Sequence, residues 1–248
     1  MSISQKTANG FYDKAYFEKG GYNDENGKPI YDLDYAKRRA LQLESLLDLT
    51  SVLDCGCANG CLLHGFKMLS KDIEVAGFDI SDYAVQNVTE EIRPCVRVGD
   101  ITEHFPYETN GFDLVVGFDV LEHIHGYDKL MSAVSEMCRV AGKWILLRQP
   151  MTLWHEGVAA KPEEHSWIVG LNPLTHKARV KLVGWGSKMQ PSWPTPVARE
   201  HPAEHPREFW IALFSSFGFQ ERALPEEMYV FPNDLMFNSF NVLLFEVC

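Results

Sequence analysis

Two kinds of residue in this sequence are placed to do chemistry: aspartates that close short apolar runs, and histidines set among aromatic residues. Asp54 follows Val52-Leu53, and Asp79 follows Val75-Ala76-Gly77-Phe78. Just past Asp54 comes Cys55-Gly56-Cys57-Ala58-Asn59-Gly60, whose glycines let a backbone approach a ligand where a Cβ would clash. An acid such as Asp79, closing the next strand after a glycine loop, offers two acceptor oxygens and can take both hydroxyls of a ribose. The plainer reading is an acid that merely ends a strand. His123, His165, His201 and His205 form the pool of general bases, since an imidazole ordinarily titrates near neutrality. For His123 the competing reading is a structural histidine bonded to nearby backbone.

Positioning these groups takes a sheet. Val52-Leu53 reads as a short strand and the glycine stretch as a tight turn, and Leu62, Leu63, Phe66 and Leu69 then recur at helical spacing. In an open α/β sheet, the turn leaving a strand's carboxyl end is where ligands bind. The helix that follows presents free N–H groups suited to a carboxylate or phosphate. A helix with Ala36, Ala40, Leu43, Leu46 and Leu47 on one face precedes this strand. Residues 74–79, 95–101, 112–118 and 143–150 read as the next four strands, with a helix cap at Ser81. Residues 127–140 read as a helix ended by Ala141-Gly142, and residues 206–217 as a helix closed by Gly218. Residues 240–247 read as a final strand.

The stretch from Val52 to Gly60 resembles the nucleotide-binding motif of class I S-adenosylmethionine (SAM)-dependent methyltransferases. Asp54, Gly56 and Gly60 match, and Ala58 stands where many members carry Gly. A dinucleotide-binding loop would want a third glycine in the next helical turn and no Asp inside the strand end. Phe112–Phe118, running into Asp119-Val120-Leu121-Glu122-His123-Ile124, resembles the family's fourth motif. The resemblance covers residues 35–150 well and the chain end moderately. It implies a Rossmann-like α/β fold: a seven-stranded mixed sheet with helices on both faces, the last strand antiparallel, and an insertion after strand 5.

The resemblance also implies SAM as cofactor. The loop residues Asp54, Gly56, Cys57, Asn59 and Gly60 would hold it, with Asp79 and Ile80 at the ribose. Asp100 would accept from the adenine amino group, and the Ile101 N–H would donate to the ring. Gly117 and Phe118 would lie beside the methionine part, and His123 near where the methyl is presented. Tyr31, Tyr35 and Arg38, around the first helix, are candidates to face the SAM carboxylate, Arg being its natural bidentate partner. The implied reaction is in-line transfer of the methyl group to a hydroxyl or amine of a small molecule such as a sugar, natural product or metabolite. The protein would supply alignment and removal of a proton. A non-catalytic SAM- or nucleotide-binding module and an NAD-dependent oxidoreductase are the alternatives.

The 248 residues suffice for one α/β domain with an insertion. A net charge of −11 disfavours a nucleic-acid partner. No apolar run approaches the roughly 20 residues of a membrane span, and residues 1–10 lack an apolar signal core. No membrane partner and a cytoplasmic location are expected. Cys55, Cys57 and Cys61 lack the two-to-four-residue gap followed by a second Cys/His pair, so they read as buried thiols rather than a metal site. Cys95, Cys138 and Cys248 read as core positions.

Residues 151–206 change character, with Trp154, His155, His165, Trp167, His176, Trp185, Trp193, His201 and His205 crowded together. Such composition argues against disorder and for a substrate-binding insertion. The expected layout is one domain, 1–248. Residues 1–34 form an aromatic-rich cover, 35–150 the SAM-binding core, 151–206 the acceptor pocket, and 207–248 the closing helix and strands. No metal is assigned to the histidine-rich insertion.

Overall fold

The computed structural model describes residues 12–19, 32–149, 167–170, 179–182, 205–225, 228 and 241–248. Its strands are β1 (Ser51–Cys55), β2 (Glu74–Asp79), β3 (Val96–Val98), β4 (Phe112–Phe118), β5 (Ala141–Arg148), β6 (Trp167–Gly170), β7 (Arg179–Leu182), β8 (Phe219–Arg222) and β9 (Val242–Val247). Seven of them form one sheet in the order β3-β2-β1-β4-β5-β9-β8, and β6 and β7 pair antiparallel by themselves. β9 is antiparallel to both its neighbours, while the pairs from β3 to β5 are parallel. The central strands are buried on both faces, which explains their near-continuous apolar runs.

The described helices are α1 (Lys14–Lys19), α2 (Leu33–Leu47), α3 (Cys61–Leu69), α4 (Asp82–Gln86), α5 (Tyr127–Val140) and α6 (Arg207–Ser215). α2 and α3 bury Leu43, Leu47, Leu63 and Phe66 against one face, with Val52, Leu114 and Leu146 of the strands. α5 and α6 bury Val134, Met137, Trp210 and Phe214 against the other, with Leu53, Val115 and Leu147. This is the expected seven-stranded mixed sheet with helices on both faces.

Several local expectations shift. On α2, Leu46 is 38% exposed, and the buried position on that helix is taken by Arg39 instead. Residues 93–95 form a 3-10 turn containing Pro94, which leaves β3 only three residues at the sheet edge. Ala141-Gly142 does not end α5 in a glycine turn. It opens β5 directly, and a Cβ at Gly142 would lie 3.0 Å from the Asn110 carbonyl oxygen, so the glycine serves close approach of backbone. β8 follows Gly218, whose φ of +88° suits only glycine. Cys95 and Cys138 are half-buried and Cys248 is exposed, so none is a full core position.

Candidate functional site

The glycine turn is held by β2. Phe78 O accepts from both Gly56 N–H (2.9 Å) and Cys57 N–H (3.0 Å), and Gly60 N–H donates to Cys57 O (2.8 Å). Gly56, Ala58 and Gly60 all have positive φ, at +80°, +48° and +72°. The crowding at these glycines comes from the protein itself: a Cβ at Gly56 would sit 2.8 Å from Val120 Cγ2, and one at Gly60 would collide with Ile92 Cδ1. Gly60 caps α3 with no side-chain partner, so the first N–H groups of that helix face the turn. Asn59 is exposed and Cys57 buried.

Asp79 is oriented by backbone. Its Oδ2 accepts from Ala58 N–H and its Oδ1 from Ser81 N–H, each at 2.8 Å. A carboxylate oxygen has capacity beyond one such bond, so the group is fixed and still able to accept. Desolvation raises its pKa, opposed by the N–H groups of Ser81, Ala58 and Ile80. Asp54 is buried, and its pKa rises to about 7 through desolvation and then the Asp79 charge, with the Arg148 cation pulling the other way. The Asp79 carboxylate and the Arg148 guanidinium thus act on Asp54 in opposite senses. Asp100 is also buried, and its Oδ1 accepts from Thr102 N–H (2.9 Å) and Oγ1 (2.8 Å), while Ile101 is buried beside it. Burial pushes the Cys55 and Cys57 thiols far up and Cys61 to about 12, which keeps all three protonated.

The carboxyl ends of β4 and β5 carry an ion pair that joins Asp119 of the fourth-motif stretch to Arg148, a residue outside any motif. Arg148 pairs with Asp119 Oδ2, lies 4.8 Å over the Phe118 ring and stands 3.5 Å from Tyr35 Oη. Asp119 adopts φ +52° and donates its N–H to Arg148 O at 2.6 Å. Tyr35 thus reaches the site edge. Arg38 is exposed, its Nε bonded to Asp34 O on its own helix. The neighbouring Arg39 is fully buried, with Nη1 donating to Met228 O at 2.7 Å. The one signal in sequence for Arg148 was a cation closing the otherwise apolar Trp144–Leu147 run.

The N-terminal segment crosses this edge. Ser81 Oγ donates to Tyr12 O at 2.5 Å, the Tyr12 ring meets His123 edge-on at 5.9 Å, and Phe17 lies 5.9 Å from Tyr83. It therefore touches residues following both β2 and β4. His123 Nε2 is 3.8 Å from Glu122 Oε1. The His205 ring lies 4.0 Å from Phe209, tilted by 31°, and 5.7 Å from Trp210, and burial lowers its pKa to about 4. Tyr31, His165 and His201 lie outside the described residues. Among the described residues, no cluster of His, Cys, Asp or Glu is arranged to hold a metal ion, and no helix is long and apolar enough to cross a membrane.

A family model described as a methyltransferase domain matches residues 29–224. The tRNA (carboxymethyluridine(34)-5-O)-methyltransferase of Arabidopsis thaliana is 30% identical over 162 residues, covering 64% of this chain and 36% of that protein. An uncharacterised protein of Methanocaldococcus jannaschii is 33% identical over 97 residues, 39% of each chain. This chain thus spans under two-fifths of the length of the curated relatives it matches. Magnesium protoporphyrin IX methyltransferase from Synechocystis PCC 6803, solved with bound SAH, superposes with a TM-score of 0.60 at 15% identity, over 98% of this chain and 100% of that one. With well over half of its length matched by the family model, and with the seven-stranded sheet and its acid-and-glycine edge in place, the chain belongs to the methyltransferase-domain family in its class I, SAM-dependent form.

Proposed function

We propose that this protein transfers the methyl group of SAM to a hydroxyl or amine of a small molecule. The observation that carries the cofactor half is Asp79, clamped by the Ala58 and Ser81 N–H groups at the carboxyl end of β2 with acceptor capacity left for ribose hydroxyls. Electrostatics supports it. Burial and the neighbouring Asp79 push the Asp54 carboxyl up to about 7, and a ligand bearing positive charge, as the SAM sulfonium and ammonium do, would relieve that crowding. In this reading the turn from Asp54 to Gly60 holds the methionine end, Ile80 flanks the ribose, and Asp100 with the Ile101 N–H takes the adenine. Phe118, Tyr35 and His123 border the reacting end.

SAM brings the activated methyl group, so the chain's own residues have to align the acceptor and take its proton. Of the two described candidate bases, His205 is the weaker, since burial holds its pKa near 4. His123 closes the 3-10 turn Leu121–His123 that comes after β4, with its ring edge-on to Tyr12, and is the better-placed base. Residues 1–34 serve as the cover, 35–150 as the cofactor core, 151–206 as the acceptor pocket, and 207–248 as the closing elements.

A second acceptor is favoured by a specific observation: the Arabidopsis relative is named for a tRNA uridine. The readings separate in one assay. Purified protein is incubated with SAM and either a small-molecule acceptor panel or unfractionated tRNA, and SAH release is measured. Release with small molecules alone supports the first reading, and release with tRNA alone replaces it. Thermal stabilisation by NAD(H) and not by SAM would overturn both.

A further inference from the structure

We propose that Glu122 is the positioning carboxylate of this methyltransferase: it holds the His123 imidazole with its hydrogen on Nε2, so that Nδ1 is the atom that takes the acceptor's proton. The inference rests on the methyltransferase reading above and adds the residue that makes His123 a base.

Glu122 is only 1% exposed. A carboxylate is seldom buried to that degree, because losing its water is costly unless a cation or donors face it. Leu121 before it and Ile124 after His123 are buried too, and both belong to the apolar layer of α5 and α6. Packing therefore anchors the turn Leu121–His123 and fixes where the carboxylate sits. Its Oε1 lies 3.8 Å from His123 Nε2, while the His123 side chain keeps 21% of its surface. One member of the pair is enclosed and the other reaches the edge of the site. That is the arrangement of a base and the group that orients it.

The separation is that of an ion pair rather than a hydrogen bond. Before an acceptor is bound such contacts are often long, and they tighten as the reaction complex forms. The carboxylate acts in two ways. As an acceptor it favours the tautomer with hydrogen on Nε2. As a negative charge it favours the imidazolium. In the transfer step the acceptor's O–H or N–H proton passes to Nδ1, and the acceptor's oxygen or nitrogen forms the bond to the methyl carbon. The electron pair of the breaking S–C bond stays on sulfur. The positive charge that began on the sulfonium ends on the imidazolium, facing Glu122.

The surrounding elements leave this charge in control. At the ends of β4 and β5, Asp119 and Arg148 are paired with each other. From the N-terminal segment, His123 meets the Tyr12 ring edge-on at 5.9 Å, with the Tyr16 ring 5.0 Å from that of Tyr12. Asp13 and Lys14, next to Tyr12 in the chain, are exposed, as are His125 and Asp128 beyond the turn.

The test follows His123 by imidazole nitrogen NMR in the purified protein with SAH, His123→Gln identifying its signals. In wild type the neutral ring should show the Nε2–H tautomer. In Glu122→Gln, which keeps the shape and removes the charge, the His123 midpoint should fall by about 1 pH unit, a tenfold change in proton affinity. Glu122→Asp, which restores the charge on a shorter side chain, should recover part of that shift. SAH affinity by calorimetry should change less than threefold in both. A merely structural Glu122 would lower the melting point of the Gln variant and leave the His123 midpoint where it was, and that result overturns the proposal. An Nδ1–H tautomer in wild type overturns it as well, and decides the matter even where Glu122→Gln fails to fold. Either result in a protein that binds SAH removes this inference alone, whereas wild type that binds no SAH overturns the methyltransferase reading with it.

Discussion

Asp79 and Ala58 are bound to each other across the edge of the sheet: Asp79 Oδ2 accepts the Ala58 N–H at 2.8 Å, and Ala58 holds the left-handed conformation, φ +48°, that points its N–H there. The acid of one strand thereby fixes the turn of another. Asp79→Asn keeps the volume and removes the charge. Losing charge-assisted bonds of about 1.5–3 kcal/mol predicts a SAM affinity roughly 10- to 150-fold weaker by calorimetry. Affinity within twofold of wild type, in a variant that melts normally, would reject Asp79 as the ribose partner.

The same relationship predicts an asymmetry between neighbouring positions. A non-glycine residue in the left-handed region costs about 1–2 kcal/mol, whereas a glycine there loses about 0.4–1 kcal/mol through the unfolded chain. Ala58→Gly should therefore be neutral or stabilising by up to about 1.6 kcal/mol. Gly60→Ala, at φ +72° with Ile92 Cδ1 in the way of a Cβ, should destabilise by at least about 2 kcal/mol. Urea melts of the two variants should move in opposite directions or, at the least, differ by that margin.

What could be read from sequence was local. The Asp54 strand end, the glycine turn, Asp79 and the Ser81 cap each announce themselves within a few residues, because their geometry depends on φ and on neighbouring N–H groups. Arg148 and Asp119 did not, since their pairing joins positions 29 residues apart and depends on the β4–β5 register. Arg38 and Arg39 mark a second limit. One residue turns a helix by about 100°, so adjacent arginines face different surroundings, and only packing decided which was buried.

The Arg148–Asp119 pair should control the charge at this edge. Arg148 lowers the Asp54 pKa, so Arg148→Met removes that relief and should move the Asp54 titration upward from about 7. The pair is buried on the arginine side and one-third exposed on the aspartate side. Allowing for that screening, the stability loss at pH 8 should be about 1–3 kcal/mol. Carboxyl NMR of Asp54 in the two proteins gives the direction, and an unchanged titration would show that Arg148 does not act there.

Asp54 and His205 should tilt stability in opposite senses over one pH range. Folded Asp54 keeps its proton to about pH 7, while the unfolded carboxyl releases it near its ordinary 3.8. Between those values the folded state binds the extra proton, so stability falls as pH rises and is level above about 7. His205 has its pKa lowered from 6.5 to about 4. There the unfolded state binds the extra proton, so stability falls as pH drops from about 6.5 towards 4. At about 1.4 kcal/mol per unit, the Asp54 contribution has a ceiling of about 4 kcal/mol and opposes the smaller one from His205. Asp54→Asn should therefore gain on wild type steadily from pH 5 to 7.5 and then stay level. His205→Gln should gain on wild type as pH falls from 7 to 4.5. Chemical denaturation of the three proteins at pH 4.5, 6, 7.5 and 8.5 measures both differences. If the Asp54→Asn difference shows no slope across that range, Asp54 is ionised in the folded protein, and the crowding of carboxylates at this edge is weaker than its burial implies.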